Sequence, residues 1–265
     1  MRLFTMNVHG LDGVRAQRLL ADFLRTERPY AVALQEVCQS RSAHRAPDSP
    51  VRCLSDEIPL RKDNGLLFLS EALGEEYSIC YLPVKVGYGT KDEGLAMLCR
   101  RPIAEAREIP LTPERPRSDW RRRCALAVRC EGEDDRFVCL HTSWWGEGFF
   151  EEWERLEEAL RGEERVWLLG DLNLPAGHAE GDAILCRAGY ADAFDLAGKH
   201  FGGTDTVRAD ADGWRGREER RSLRIDRILC RPPRTVTDYR RAFDGKAGEE
   251  ISDHFGVLIE YKEES

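Results

Sequence analysis

Val166-Trp167-Leu168-Leu169-Gly170-Asp171-Leu172-Asn173 is an apolar run that stops at a polar turn. A short apolar run bounded by Gly, Asp and Asn reads as a buried strand followed by a turn. The same grammar recurs along the chain. Leu3–Met6 ends at Asn7, Tyr30–Leu34 ends at Gln35-Glu36, and Phe137–His141 ends in a histidine. Leu223–Leu229 carries Asp226, and Asp253-His254 stand directly before Phe255–Tyr261. Further strands are predicted over Tyr77–Val86, Gly94–Cys99, Cys124–Cys130 and Val236–Phe243.

Between these runs the apolar spacing changes to that of a helix. Asp12 is placed to cap a helix with Val14, Leu19, Leu20, Phe23 and Leu24 on one face, closed by Pro29. Gly65–Leu73 reads as helical, and Phe149, Phe150, Trp153, Leu156 and Leu160 form the apolar face of another helix. Gln39–Pro59 and the Gly-, Asp- and Arg-rich stretch 202–221 read as loops. Interleaved helices and strands predict one α/β domain over residues 1–265.

The chain has 265 residues, 42% of them hydrophobic, which is enough for a large core. Lys plus Arg number 40 and Asp plus Glu 48, a formal charge of -8. That balance argues against nucleic acid as a partner, because affinity for it comes largely from basic residues that displace counterions. The nine cysteines show no Cys-x-x-Cys pair, and several sit in apolar runs. They read as reduced, buried thiols. The first residues lack an apolar leader, and no apolar stretch is long enough to span a bilayer. The expectation is a cytoplasmic protein without a membrane partner.

Polar residues gathered at strand ends suit a metal-assisted hydrolase. Such a site needs a carboxylate for a hard cation, a base for water and donors for phosphoryl oxygens. Here the residues carry a resemblance. In order stand Asn7, Gln35-Glu36, Asp92-Glu93-Gly94-Leu95-Ala96 with Arg101-Pro102-Ile103, Leu140-His141-Thr142, Gly170-Asp171-Leu172-Asn173, Ile225-Asp226-Arg227-Ile228-Leu229 and Ser252-Asp253-His254. Any one arises by chance; the ordered set, spanning nearly the whole chain, resembles the endonuclease/exonuclease/phosphatase superfamily, DNase I-like in fold. In a short, compact chain, His141-Thr142-Ser143-Trp144-Trp145-Gly146 followed by the Phe149–Leu160 helix is similar to a bacterial subgroup that includes maltose 6'-phosphate phosphatase.

The resemblance implies a four-layer α/β sandwich, two packed β-sheets with helices outside, and hydrolysis by an activated water. It implies Mg²⁺, with Mn²⁺ as a substitute, held by Glu36 with Asn7 and Asp253. Asp171 is the expected general base, oriented by Asn173. A protonated His254 is expected to face the phosphoryl group, with Asp253 accepting from its other nitrogen. His141 is the expected second donor, and Asp226 is expected to support this network. His9 lies close to the metal residues in sequence. The abasic-site endonucleases carry an active-site tyrosine where this chain has His141, which weakens a DNA-repair reading.

Three features bear on the substrate. Trp120 and Arg122 combine an aromatic face with a fork suited to phosphate. Trp144 and Trp145 follow His141 as a potential stacking wall, and Tyr88–Gly94 is a Gly-containing loop. The resulting expectation is a phosphomonoesterase for a small sugar phosphate. The alternative, a nuclease, requires the Arg-rich segments 115–123, 215–224 and 231–241 to form a groove. A third reading, an inactive binding module on the same fold, requires a missing metal or base residue; Glu36, Asp171, Asn173, Asp253 and His254 are all present.

Overall fold

The computed structural model describes residues 1–211, 214 and 223–263. Its first half runs β1 (Arg2–Gly10), α1 (Val14–Glu27), β2 (Ala31–Ser40), β3 (Arg52–Cys53), α2 (Gly65–Leu73), β4 (Ser78–Gly87), β5 (Lys91–Cys99) and β6 (Ile103–Pro110). Then come β7 (Cys124–Cys130), β8 (Arg136–His141), α3 (Phe149–Ala159), β9 (Val166–Asp171), α4 (Ala179–Arg187) and β10 (Ala191–Asp192). The chain closes with α5 (Ala193–Leu196), β11 (Lys199–Phe201), β12 (Asp226–Arg231), β13 (Val236–Ala242) and β14 (Gly256–Tyr261).

Two mixed sheets result, ordered β11-β13-β14-β1-β2-β5-β4-β3 and β10-β12-β9-β8-β7-β6. Successive side chains on a strand point to opposite faces, so one apolar strand can serve two cores. Leu3 and Ala33 face the seam between the sheets with Phe137, Cys139, Trp167 and Leu169. Their neighbours Phe4, Val32 and Leu34 face outward under α1 and α2, against Leu20, Leu24, Leu66 and Leu69. On the second sheet, Val138, Leu140 and Leu168 meet Phe149, Trp153 and Leu156 of α3. The outcome is the expected DNase I-like sandwich, helices outside two packed sheets.

The structure differs from the sequence reading in several local ways. The N-cap of α1 is Gly13, not Asp12, whose carboxylate pairs with Lys91 instead. Val14 stands at the helix start beyond the packed face and is 54% exposed; Gln17 takes a buried place by bonding Leu11 O. The loop expected from Gln39 contains the short β3. Strand β6 went unread because its buried positions are few: it is an edge strand paired only with β7, and its Glu105 bonds Arg129 across the ladder. Helix α4 was also unread, and His178 caps it by accepting from Gly181 N–H. In the stretch expected to be a surface loop, Thr206, Val207, Ala211 and Trp214 are buried. Residues 212, 213 and 215–222, which take in the Arg-rich segment 215–224 up to residue 222, lie outside the described residues. All nine cysteines are free thiols, seven of them buried. Among the described residues, no helix is long and apolar enough to cross a membrane.

Gly170 shows how tightly the sheet is built around the site. Its φ is 153°, and a Cβ added there would lie 2.0 Å from Leu140 O on the neighbouring strand. Gly170→Ala is therefore expected to cost on the order of 3 kcal/mol by forcing β8 and β9 apart. Thermal unfolding checks this; an unchanged midpoint would mean that the backbone relaxes freely.

Candidate active site

Strand pairing brings the polar strand ends together. Strands β1 and β2 run parallel, so Asn7 and Glu36 emerge at one edge of the first sheet. Strands β8 and β9 are also parallel, with His141 beside Asp171, and antiparallel β12 sets its first residue, Asp226, on the other side of Asp171. His141, Asp171 and Asp226 thus stand in one row. Val207 bridges to His254, tying the Ser252-Asp253-His254 turn to the 202–211 stretch.

Two backbone irregularities aim the carboxylates. The ladder of β2 with β5 shifts register between Leu34 and Val37, and that with β1 between Asn7 and Gly10; Glu36 in this irregularity has φ 56°. Bulges re-aim a side chain in this way. Asn173 adopts φ 46°, which Asn tolerates better than most residues. Its backbone N–H donates to Asp171 Oδ1 at 2.9 Å, and its Nδ2 donates to Thr142 O at 3.0 Å.

Asp171 Oδ2 is the focus of the cluster. Asn7 Nδ2 donates to it at 3.2 Å, and to Glu36 Oε1 at 2.9 Å. His141 Nε2 lies 3.7 Å from Asp171 Oδ2, and His254 Nε2 lies 3.9 Å from it. Both gaps are too long for a hydrogen bond, yet an oxygen placed among these three atoms could reach all of them. Burial raises the Asp171 carboxyl to about 7, reinforced by the charge of Asp226 and opposed by His254. A carboxylate poised there is matched to taking a proton near neutrality.

The partner of His254 is Asp226, not Asp253. His254 Nδ1 sits 2.9 Å from Asp226 Oδ2, both groups being buried. Burial alone would discharge the imidazolium. The charge and hydrogen bond of Asp226 outweigh it, and with Asp171 and Asp253 nearby they push His254 up to about 10. Asp253 instead turns to His9, with Oδ1 3.4 Å from Nδ1, and accepts from Ser252 Oγ at 3.3 Å. Adjacent residues point apart here, so sequence neighbourhood misidentified the pair. His141 goes the other way: burial, then Arg123, Lys85 and His254, hold it well below the usual histidine range. One imidazole is thus kept charged and its neighbour neutral.

A family model described as Endonuclease/Exonuclease/phosphatase family matches residues 4–254. The chain belongs to the endonuclease/exonuclease/phosphatase family. Among solved structures, a family protein from Leptotrichia buccalis is 22% identical, with a TM-score of 0.83 over 99% of this chain and 100% of that one. A mannosyl-6-phosphatase from Bacteroides thetaiotaomicron is 19% identical, with a TM-score of 0.66 over 99% of this chain and 100% of that one. A Neisseria 3' phosphatase bound to product DNA hairpin is 20% identical, with a TM-score of 0.66 and the same coverage. These similarities show the fold. No curated protein matches the chain. Members of the family are hydrolases of phosphoester bonds and generally use divalent metals.

This family member offers two places for a cation. Asp171, Asp226 and His254 bring ligand atoms within 4.8 Å of one another. However, His254 Nδ1 is spent on Asp226, and an imidazolium cannot ligate. The second place is flanked by Glu36 Oε2 and Asp253 Oδ1, 3.7 and 3.4 Å from His9 Nδ1. Carboxylate oxygens are the ligands a hard divalent ion prefers, but among the described residues these two do not close into a compact group of three, as Asp171, Asp226 and His254 do. Burial would raise Glu36, but hydrogen bonds from Asn7 and Tyr88, with the charge of His254, hold it below the usual carboxylate range. Asn7 Oδ1 accepts from His9 N–H, and its Nδ2 serves the two carboxylates as donor.

The cleft above this cluster has a volume of about 210 Å³. Tyr88, Trp120, Trp144 and Trp214 line it, with Lys85 and Arg123 as cations. Two expected substrate residues lie elsewhere. Arg122 spends its guanidinium on Val84 O, Arg115 O and Glu108. Trp145 packs on His178 and Phe149. In each pair the sequence neighbour, Arg123 or Trp144, reaches the cleft. Lys85 and Glu93 were missed; they face each other across the β4–β5 ladder at 3.1 Å. A charged pair inside otherwise apolar strands was the available signal.

Proposed function

We propose that the protein is a Mg²⁺-dependent phosphomonoesterase that cleaves a small sugar phosphate by attack of water activated by Asp171. The observation that carries this reading is the small aromatic cleft over Asp171. Its lining by Trp120, Trp144 and Tyr88 suits the apolar face of a sugar, and its size suits a small ester better than a duplex. The mannosyl-6-phosphatase among its structural neighbours supports the same substrate class. The neighbour bound to product DNA supports the second reading, a phosphate ester of nucleic acid.

Asn173 N–H and Asn7 Nδ2 fix the Asp171 carboxylate, which takes the proton of the attacking water. His254, held charged by Asp226, places Nε2–H on a phosphoryl oxygen, and neutral His141 donates to another. Lys85 and Arg123 balance charge on the phosphoryl group. Glu36 and Asp253 would hold the divalent ion, whose chemistry is to polarise phosphoryl oxygens. Nearly all the catalytic effect is positioning and charge stabilisation, as phosphoryl transfer requires.

Hydrolysis is expected to require Mg²⁺ or Mn²⁺ and to stop with EDTA. A panel of sugar phosphates, aryl phosphate, single-stranded DNA and duplex DNA tests the substrate class. Sugar phosphates should be cleaved fastest, with KM rising only slightly with salt. Efficient nicking of duplex DNA with every sugar phosphate inert would overturn the reading. Full activity after EDTA would overturn its metal part.

A further inference from the structure

Beside the catalytic cleft runs a wider groove of about 920 Å³. Tyr88 and Trp120 line both, so the two are continuous past that pair of rings. The groove sets three guanidiniums, Arg41, Arg61 and Arg117, against one carboxylate, Asp92. A chain of net charge -8 therefore carries a formally positive groove next to its active site.

The fold does not use up these arginines, as it uses up Arg122. Arg61 gives one terminal nitrogen to Ala43 O at 2.7 Å, and Arg117 gives one to Pro83 O at 2.6 Å. Asp92 lies 3.8 Å from Arg61 Nε and 3.6 Å from the other terminal nitrogen of Arg117. Those are ion-pair distances, too long for hydrogen bonds. Both nitrogens and Asp92 Oδ2 are buried without a hydrogen-bond partner. The Arg41 guanidinium, exposed at the rim, makes no hydrogen bond or ion pair among the described residues. Those buried nitrogens face Asp92, so an incoming anion would meet the exposed Arg41 fork first, with the positive charge of Arg61 and Arg117 behind it, and a guanidinium fork matches phosphate geometry.

We propose that this groove seats a second phosphate of the substrate, remote from the ester that is cleaved, so that the substrate is a small bisphosphorylated sugar. This rests on the reading of the cleft as a phosphomonoesterase site. The opposite flank favours a small ligand over a polynucleotide. There the groove beyond His9 is lined by Arg208 against Asp210, Glu250 and Asp253. Among the described residues the positive surface thus does not continue along this flank, as a tracked strand of phosphates would require.

Competition against aryl phosphate hydrolysis, with Mg²⁺ present, tests the groove independently of whether the sugar itself is turned over. Glucose 1,6-bisphosphate should inhibit about tenfold more tightly than glucose 6-phosphate, the scale of one added charge-assisted contact. Arg41→Gln should erase that preference while leaving aryl phosphate kcat/KM unchanged, and Arg41→Lys should restore part of it. Equal inhibition by the two sugars, or a preference that survives Arg41→Gln, would overturn the proposal. If the preference appears but no sugar phosphate is turned over, the anion seat stands and the phosphatase reading falls. If a 3'-phosphorylated oligonucleotide competes through Arg41 and the bisphosphate does not, the groove serves a polynucleotide and the proposal fails.

Discussion

Asp171→Asn is expected to lower kcat by about 10²- to 10⁴-fold, the range of a lost general base, with the fold retained. The substitution keeps volume and leaves one oxygen to accept from Asn173 N–H. It removes basicity at Oδ2, and the new amide cannot accept from Asn7 Nδ2 there. That mismatch should cost roughly 1–2 kcal/mol of stability, since a buried donor loses its acceptor. Wild-type activity should rise with pH as the carboxyl, raised to about 7 by burial and by Asp226, gives up its proton. This rising limb should vanish from the residual activity of the variant. Circular dichroism and a pH–rate profile check both statements. A folded variant that turns over within tenfold of wild type would place the base elsewhere.

The site was legible in the sequence wherever an apolar strand run stopped at a polar residue. Asn7, Glu36, His141 and Asp171 carried that signal, and His254 stood at the start of such a run, because a buried strand advertises its ends by composition. Glu36 also needed a bulge to aim it, which no residue pattern announced. What sequence misassigned were choices between neighbours. Arg122 and Arg123 have different surroundings, as do Trp144 and Trp145, and both pairs lie outside the strands, where the period-two alternation does not apply. The alternation could be counted for the strand Cys124–Cys130 but not for the turn before it, so the residue facing the cleft was read one place off. The pairing of His254 with Asp226 rather than Asp253 is a fact of tertiary structure. The two residues stand 28 positions apart, and only the placement of β12 beside β9 sets the carboxylate under the ring. The arginine groove was invisible for the same reason. Arg41, Arg61 and Arg117 come from three separate segments, and the acidic net charge concealed their convergence.

Asp226→Asn should be nearly as damaging as loss of the base, and it distinguishes the two candidate partners of His254. Asn can still accept from His254 Nδ1–H through its amide oxygen, so the ring keeps its place. What goes is the negative charge. Burial disfavours the imidazolium, and Asp226 is the largest influence opposing burial. Without it His254 should drop far below its value of about 10, so that the donor to the phosphoryl oxygen loses its charge near neutral pH. Losing one such charged donor costs about 10²- to 10³-fold in kcat. The pH profile carries the sharper signature. In wild type, activity should fall at alkaline pH as His254 deprotonates. In Asp226→Asn that falling limb should move to lower pH. The rising limb should move the same way, because the charge of Asp226 also holds the Asp171 carboxyl up. A carboxylate that merely braced the strand would shift neither limb. Asp253→Asn should move the falling limb less than Asp226→Asn does, since Asp253 is the smallest of the three acidic influences on His254 and faces His9. If Asp253→Asn moves the falling limb and Asp226→Asn does not, the assignment of the imidazolium to the Asp226–His254 pair is wrong.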